Sequence, residues 1–215
     1  MEALCHGGGI VQALNTHVYG NGSQTLVLAH GFGSDQTVWH FLIPFLACYF
    51  KVVVFDLVFS PNVDPKLYDP GRYLNTTRYN GGFTRAQLDA FFNQIDQNFS
   101  NWVLSFAPIA VGVKDTSAIA EFENSLGRMT PKIAVTVART VFLSDLRRIL
   151  PQVVVPSSII QSRKDFIVPK TVAFYMKKRL GGPARVKILN TEGHFPQLTV
   201  YPLLLKVLKR FLHIK

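Results

Sequence analysis

Residues Thr25–Trp39, TLVLAHGFGSDQTVW, decide how this chain is read. Thr25–Ala29 is a short apolar run of strand character that stops at His30-Gly31-Phe32-Gly33. Ser34-Asp35-Gln36-Thr37 then opens a segment of helical character. A strand, a glycine turn and a helix start in succession aim backbone N–H groups at one spot, which suits a developing negative charge. An acid and a base that could serve such a spot, Asp165 and His194, lie far downstream.

Upstream, Val11–Tyr19 alternates loosely and ends at Gly20-Asn21-Gly22-Ser23, which predicts a strand entering a hairpin. Downstream, Thr37–Cys48 has the length and apolar content of a helix despite Pro44. Lys51–Asp56, KVVVFD, is a β-branched run typical of a strand buried on both faces. Strand, strand, helix, strand favours an α/β sheet. The alternation then stops: residues 57–83 hold three prolines and three glycines and show neither period, an unusual length of structureless chain for a compact domain. From Thr84, a predicted N-cap, the chain turns helical, with Phe92, Phe99, Trp102 and Phe106 at helical spacings. Asp115–Met129 and Pro131–Phe142 predict two more helices, the second opening on proline. Four helices inserted in an α/β pattern predict a separate cap. Strand Val153–Gln161, helix Pro169–Leu180, strand Arg185–Leu189 and a terminal amphipathic helix Pro196–His213 complete the pattern. Asp165 and His194 thus follow successive strands, at the carboxyl ends where α/β sheets place their chemistry.

With 215 residues and 48% apolar content, one domain with a sizeable core is expected. Cys5 and Cys48 supply neither a disulfide framework nor a metal-ligand spacing, so no metal is expected, and no cofactor is expected either. The N-terminus lacks the pattern of a signal peptide, and the longest apolar run, Phe41–Phe50, is too short to span a bilayer, so no membrane partner is expected. The net charge of +10 raises the question of nucleic acid. Most cations are dispersed, and the densest group, Lys177-Lys178-Arg179, ends a predicted helix, where cations complement the dipole. No nucleic-acid motif accompanies them, and the charge reads as solvated surface.

His194 lies in Thr191-Glu192-Gly193-His194-Phe195-Pro196, between a strand and a helix. Asp165, one α/β unit earlier, could fix the imidazole tautomer and stabilise the imidazolium formed in acyl transfer. His30 reads as structural, holding its glycine turn, whereas His6, His17, His40 and His213 show no partner pattern. The serine that such a base activates needs a tight strand-to-helix turn, usually G-x-S-x-G, and none occurs. Ser34, Ser60, Ser105 and Ser144 all lack that setting.

HGFGSDQTVWH, KVVVFD, NWVLSFAPIAVGV, TVFLSDLR and EGHFPQL together resemble the plant α/β-hydrolases that perceive strigolactones and karrikins. FDLVFSPNVDPKLY resembles the DWARF14-like 2 branch of that group. The resemblance runs end to end and implies an α/β-hydrolase fold with a four-helix cap over residues 73–144 and a core of residues 1–72 and 145–215. It also implies a gap. In the family a nucleophile strand and elbow, a further strand and two helices precede the cap, whereas here Asp69-Pro70-Gly71-Arg72-Tyr73 runs directly into Leu74-Asn75. Two α–β units are absent, on the order of 50–60 residues, from the centre of the sheet. The resemblance assigns Asp165 and His194 as catalytic acid and base, with the nucleophile Ser missing. Phe32 becomes an oxyanion-hole residue through its N–H, and Tyr73, Phe83, Trp102, Phe106, Val141, Phe142, Ser144 and Phe195 line the ligand pocket. Phe91 and Phe122 are assigned to ordinary packing. The expected function is that of a receptor-like serine esterase relative for a small butenolide-like molecule, inactive in catalysis. The alternatives are a non-catalytic ligand-binding or partner-binding protein, or a truncated product with no function of its own. F-box and repressor-type partners and a cytoplasmic and nuclear location are implied by the same resemblance.

Overall fold

A computed structural model describes residues 14–56, 75 and 79–214. Tyr73, the Arg72-Tyr73 join, Ser60, Cys5 and His6 lie outside the described residues, as does the first part of the predicted Val11–Tyr19 strand.

The described strands form two sheets. In the first, β1 (His17–Tyr19), β2 (Thr25–Ala29) and β3 (Lys51–Phe55) lie in the order β1-β3-β2. β2 runs parallel to β3, Thr25 opposite Lys51 and Ala29 opposite Phe55, while β1 is antiparallel to β3 with His17 opposite Val54. The expected hairpin between β1 and β2 is therefore not formed. The turn at Gly20 instead lies so close over the end of the later helical turn Ile43–Leu46 that a Cβ there would meet the Ala47 carbonyl oxygen, and β3 enters between the two strands. Asp56, just past β3, accepts from Asn15 Nδ2 (2.8 Å), Gln36 N (2.9 Å) and Gln36 Nε2 (3.1 Å), tying both flanks of this sheet together. The predicted helix Thr37–Cys48 is two short pieces, a 3-10 turn at Gln36–Trp39 and α1 (Ile43–Leu46). Pro44 is tolerated because it falls in the first turn of α1, where an N–H has no partner to lose.

Four helices follow: α2 (Arg85–Gln97), α3 (Phe99–Val111), α4 (Thr116–Gly127) and α5 (Pro131–Leu143). Thr84 and Gln87 form a capping box on α2, and Asn98, Asp115 and Thr130 cap the other three. Their inward faces share one core, with Leu88, Phe92, Ile95, Ala107, Leu126 and Ala138 among its buried members.

The second sheet pairs β4 (Ser157–Lys164) with β5 (Ala184–Glu192) in parallel, joined by α6 (Lys170–Arg179). The predicted start of β4 at Val153 is four residues early. Pro156 has no N–H for a ladder, and Val154 and Val155 before it are 68% and 62% exposed. The predicted terminal helix is broken at Val200 into α7 (Pro196–Thr199) and α8 (Tyr201–Phe211). Ile159 faces α6 residues Val172, Ala173 and Met176, whereas Ile160 packs in the core that includes α8, so these two helices cover opposite faces. Leu204 and Val207 of α8 are buried together with Val52 and Val54 of β3 and Leu189 of β5, so a single apolar core joins the two sheets.

Among the described residues β2 pairs only with β3, and β4 only with β5. β2 carries no charge or proline on its open edge, and its central Val27 is 57% exposed. Such an edge templates association. The protein is expected to bind a hydrophobic dye in its native state and to scatter light with rising concentration. Val27→Lys should suppress the scattering without lowering the melting temperature; scattering unchanged by that substitution would place the sticky surface elsewhere.

Candidate functional site

Two loops that follow parallel strands bring the acid and the base together. Asp165 directly follows β4, and its carboxylate accepts from the backbone N–H groups of Ile167 (2.8 Å) and Val168 (3.0 Å) and from Gln161 Nε2 (3.0 Å). His194 follows β5, and its Nδ1 lies 2.9 Å from Asp165 Oδ2. The Asp165 side chain is only 3% exposed. Burial pushes its carboxyl up, but the hydrogen bond and charge of His194 and the two N–H donors outweigh that, and the net direction is down from the ordinary carboxylate range. The contact with Asp165 fixes the ring and leaves Nε2 as the nitrogen able to take a proton from a reacting group.

The loop carrying His194 is fastened to the helical layer. Gly193 has φ +87°, and a Cβ on it would sit 1.8 Å from the Val111 carbonyl oxygen. The Gly193 N–H donates to Lys164 O (2.7 Å) and the His194 N–H to Ala110 O (2.9 Å) at the end of α3. Only glycine permits so close an approach of two backbones at a positive φ.

Beside His194 is a cavity of about 250 Å³ lined by Gly31, Phe32, Phe106, Ala110, Phe122, Val141, Phe142, Ile167, His194 and Phe195. Apart from His194 and backbone groups its wall is apolar. No serine, threonine or cysteine stands among the described residues that line it. The Gly31-Phe32 turn is held by His30, whose Nδ1 lies 2.9 Å from Gly31 O, and by the Ser34 hydroxyl, which donates to the same oxygen at 3.1 Å. The expected structural place of His30 is thereby the one it occupies.

Of the residues assigned to the pocket, Phe106, Val141, Phe142 and Phe195 line this cavity, as does Phe32, assigned to the oxyanion hole. Phe83, Trp102 and Ser144 do not. Phe83 meets Phe142 edge to face at 5.7 Å, Trp102 stacks on Phe106 at 5.1 Å, and the Ser144 hydroxyl donates to Val141 O (2.9 Å) at the end of α5; all three form the layer behind the wall. Phe122, assigned to packing, is instead part of the wall and lies 4.4 Å from Phe195, ring centre to ring centre. Its i, i+4, i+8 phase with Ala118 and Leu126 marks it as inward-facing, but only the placement of α4 makes that inward face a cavity wall. Phe91 packs against Trp102, Phe106 and Phe142. Ser34, Ser105 and Ser144 direct their hydroxyls to backbone carbonyls near in sequence. His17 and His40, which show no partner in the sequence, do have them: His17 Nδ1 is 3.0 Å from Gln36 Oε1, and His40 Nδ1 is 2.9 Å from Thr37 O.

Parallel strands followed by an acid and a base, a glycine turn opposite them and a helical layer above define an α/β-hydrolase. Solved structures agree. A hydrolase from Oleispira antarctica superposes with a TM-score of 0.87 at 25% identity, covering 100% of both chains. An esterase from Exiguobacterium antarcticum superposes at 0.79 and 15% identity, covering 91% of this chain and 94% of its own. No protein-family profile matches the chain. Among curated proteins, strigolactone esterase D14 of Arabidopsis thaliana is 35% identical, over 94% of this chain and 97% of its own. Karrikin insensitive 2 receptor CA of Petunia hybrida is 34% identical over 96% and 98%. The chain belongs to the strigolactone-esterase and karrikin-receptor family of α/β-hydrolases. The alignment with the Arabidopsis protein extends over 260 residues, more than the 215 of this chain, so it includes positions of that relative with no counterpart here.

A depressed carboxyl in the folded state stabilises the fold above the ordinary carboxylate range, and that contribution is lost as pH falls through the folded value. Asp165→Asn should therefore lower the melting temperature near neutrality and flatten its fall on acidification; a variant as acid-sensitive as the parent would remove Asp165 from that role. Gly193→Ala should cost about 2 kcal/mol or more in denaturant melts, because the loop must leave α3 or strain.

Proposed function

We propose that this chain binds a small, apolar, butenolide-like molecule in the cavity beside His194 and does not turn it over as a serine esterase. The observation that carries this reading is a buried acid paired with a base whose cavity wall holds no hydroxyl or thiol nucleophile among the described residues. Three further observations support it: the sequence has no G-x-S-x-G, the alignment with an esterase relative is longer than the chain, and among the described residues β2 and β4 each have an unpaired edge where central strands would fit. On this reading residues 73–144 are a cap on an incomplete core of residues 1–72 and 145–215. Asp165 and His194 keep the acid and base positions, Phe32 offers one oxyanion donor, and the second donor left with the nucleophile. His194 then has no hydroxyl to deprotonate. The cavity is smaller than the ~300–1,000 Å³ common for drug-sized ligands, in keeping with a compact lactone. Signalling partners of F-box and repressor type and a cytoplasmic and nuclear location belong to the same reading.

The purified chain should hydrolyse p-nitrophenyl acetate no faster than its His194→Ala variant, since loss of one triad member costs on the order of 10⁴–10⁶ in rate. Turnover blocked by a fluorophosphonate that labels the protein would overturn the inactive reading. Inserting a relative's strand–elbow–helix segment between Arg72 and Tyr73 should restore hydrolysis that depends on His194. A small butenolide should raise the melting temperature of the parent but not of Phe122→Trp, which fills the cavity.

A further inference from the structure

The basic charge of this protein is concentrated in one part of the chain. Residues 146–215 hold 14 of the 23 Lys and Arg but only two of the 13 Asp and Glu, so the excess belongs to the β4–β5 lobe and its helices. Neither acid is free to offset it: Asp165 is committed to His194, and Glu192 pairs with Lys164. Among the described residues from Arg163 to Arg210, Lys164 is the only Lys or Arg with a carboxylate partner.

One face of this lobe joins charge to exposed apolar groups. On α6, Lys170, Phe174, Lys177 and Lys178 recur at i, i+4, i+7 and i+8, all exposed, with the Phe174 ring 52% exposed between the lysines. Beside the end of α6, Gly181 N donates to Leu150 O and Gly182 N to Val153 O. These bonds set the exposed pair Val154 and Val155 against the Lys177-Lys178-Arg179 end of the helix. Their sequence neighbours Val153, Tyr175 and Met176 line an apolar cavity of about 240 Å³. A solvated charged face has no use for three protruding apolar side chains, and nucleic acid, which stacks on series of rings and pairs with guanidinium groups, does not select aliphatic ones.

We propose that the outer face of α6, with the Val154–Val155 loop, is a peripheral docking surface for a membrane rich in anionic phospholipid. Lys170, Lys177 and Lys178 meet the headgroups, while Phe174, Val154 and Val155 enter the interface. Each basic group near such a surface strengthens binding by about fivefold, and apolar insertion adds to it. No helix among the described residues is long and apolar enough to cross a membrane, so the attachment is superficial and reversible.

Vesicle co-sedimentation of the full chain tests this. Binding is expected to phosphatidylcholine vesicles containing phosphatidylserine, to fall in high salt, and to be absent with phosphatidylcholine alone. Lys177→Glu with Lys178→Glu should weaken it at least tenfold, and Phe174→Ser with Val154→Ser severalfold, in variants whose circular dichroism matches the parent. Lys206→Glu with Arg210→Glu, on the opposite face of the sheet, should leave most binding intact. Equal binding to neutral vesicles, or equal loss from the α8 pair, would overturn the proposal. So would a single-stranded RNA oligonucleotide that binds more tightly through the α6 lysines and ignores Phe174→Ser, since it would assign the face to nucleic acid.

Discussion

The structure depends on a contact made by its last helix. α8 places Leu204 and Val207 against β3 on one side and Leu189 of β5 on the other, and in the described residues no strand ladder connects the two sheets. Side-chain burial therefore does what hydrogen-bonded strands do in an unbroken sheet. That substitution has a physical cost. Burial is non-directional and fixes the angle between sheets less tightly than a ladder, while every buried Val or Leu is still worth about 1.5–3 kcal/mol. The lobes hold together, and among the described residues β2 and β4 each keep an unpaired edge.

The acid–base pair survives this arrangement because it is assembled within one lobe. Asp165 and His194 sit after adjacent parallel strands, in register through Lys164 and Glu192, and every polar partner of Asp165 comes from residues 161–194. The opposing glycine turn belongs to the other lobe and is braced by its own short bonds from His30 and Ser34. The geometry of the Asp165–His194 pair thus does not depend on how the two lobes meet.

Much of this was legible in the sequence because it is local. The strands at Thr25 and Lys51, the four capped helices, and the acid and base after successive strands all follow from period, caps and order. What was not legible depends on contacts distant in sequence. Nothing in Gly20-Asn21-Gly22-Ser23 tells a hairpin from a turn that lets a third strand in between. Trp102 and Phe106 have the same helical phase, yet only Phe106 reaches the cavity wall, and Phe122 reads as packing until α4 is placed. The Lys and Arg of residues 146–215 are dispersed by spacing, and only the ion pairs show how few of them face a carboxylate.

The join between Gly193 and the end of α3 has a mechanical meaning. The carbonyls of Ala110 and Val111 are the seat of the imidazole loop, and Phe106 and Ala110 of the same helix are wall residues of the cavity. A molecule that pushes α3 outward to gain room must carry the His194 backbone with it, against a glycine contact that has no slack. The wall of the cavity and the backbone of the imidazole loop thus rest on one support, the end of α3, so a shift of that helix end alters both together.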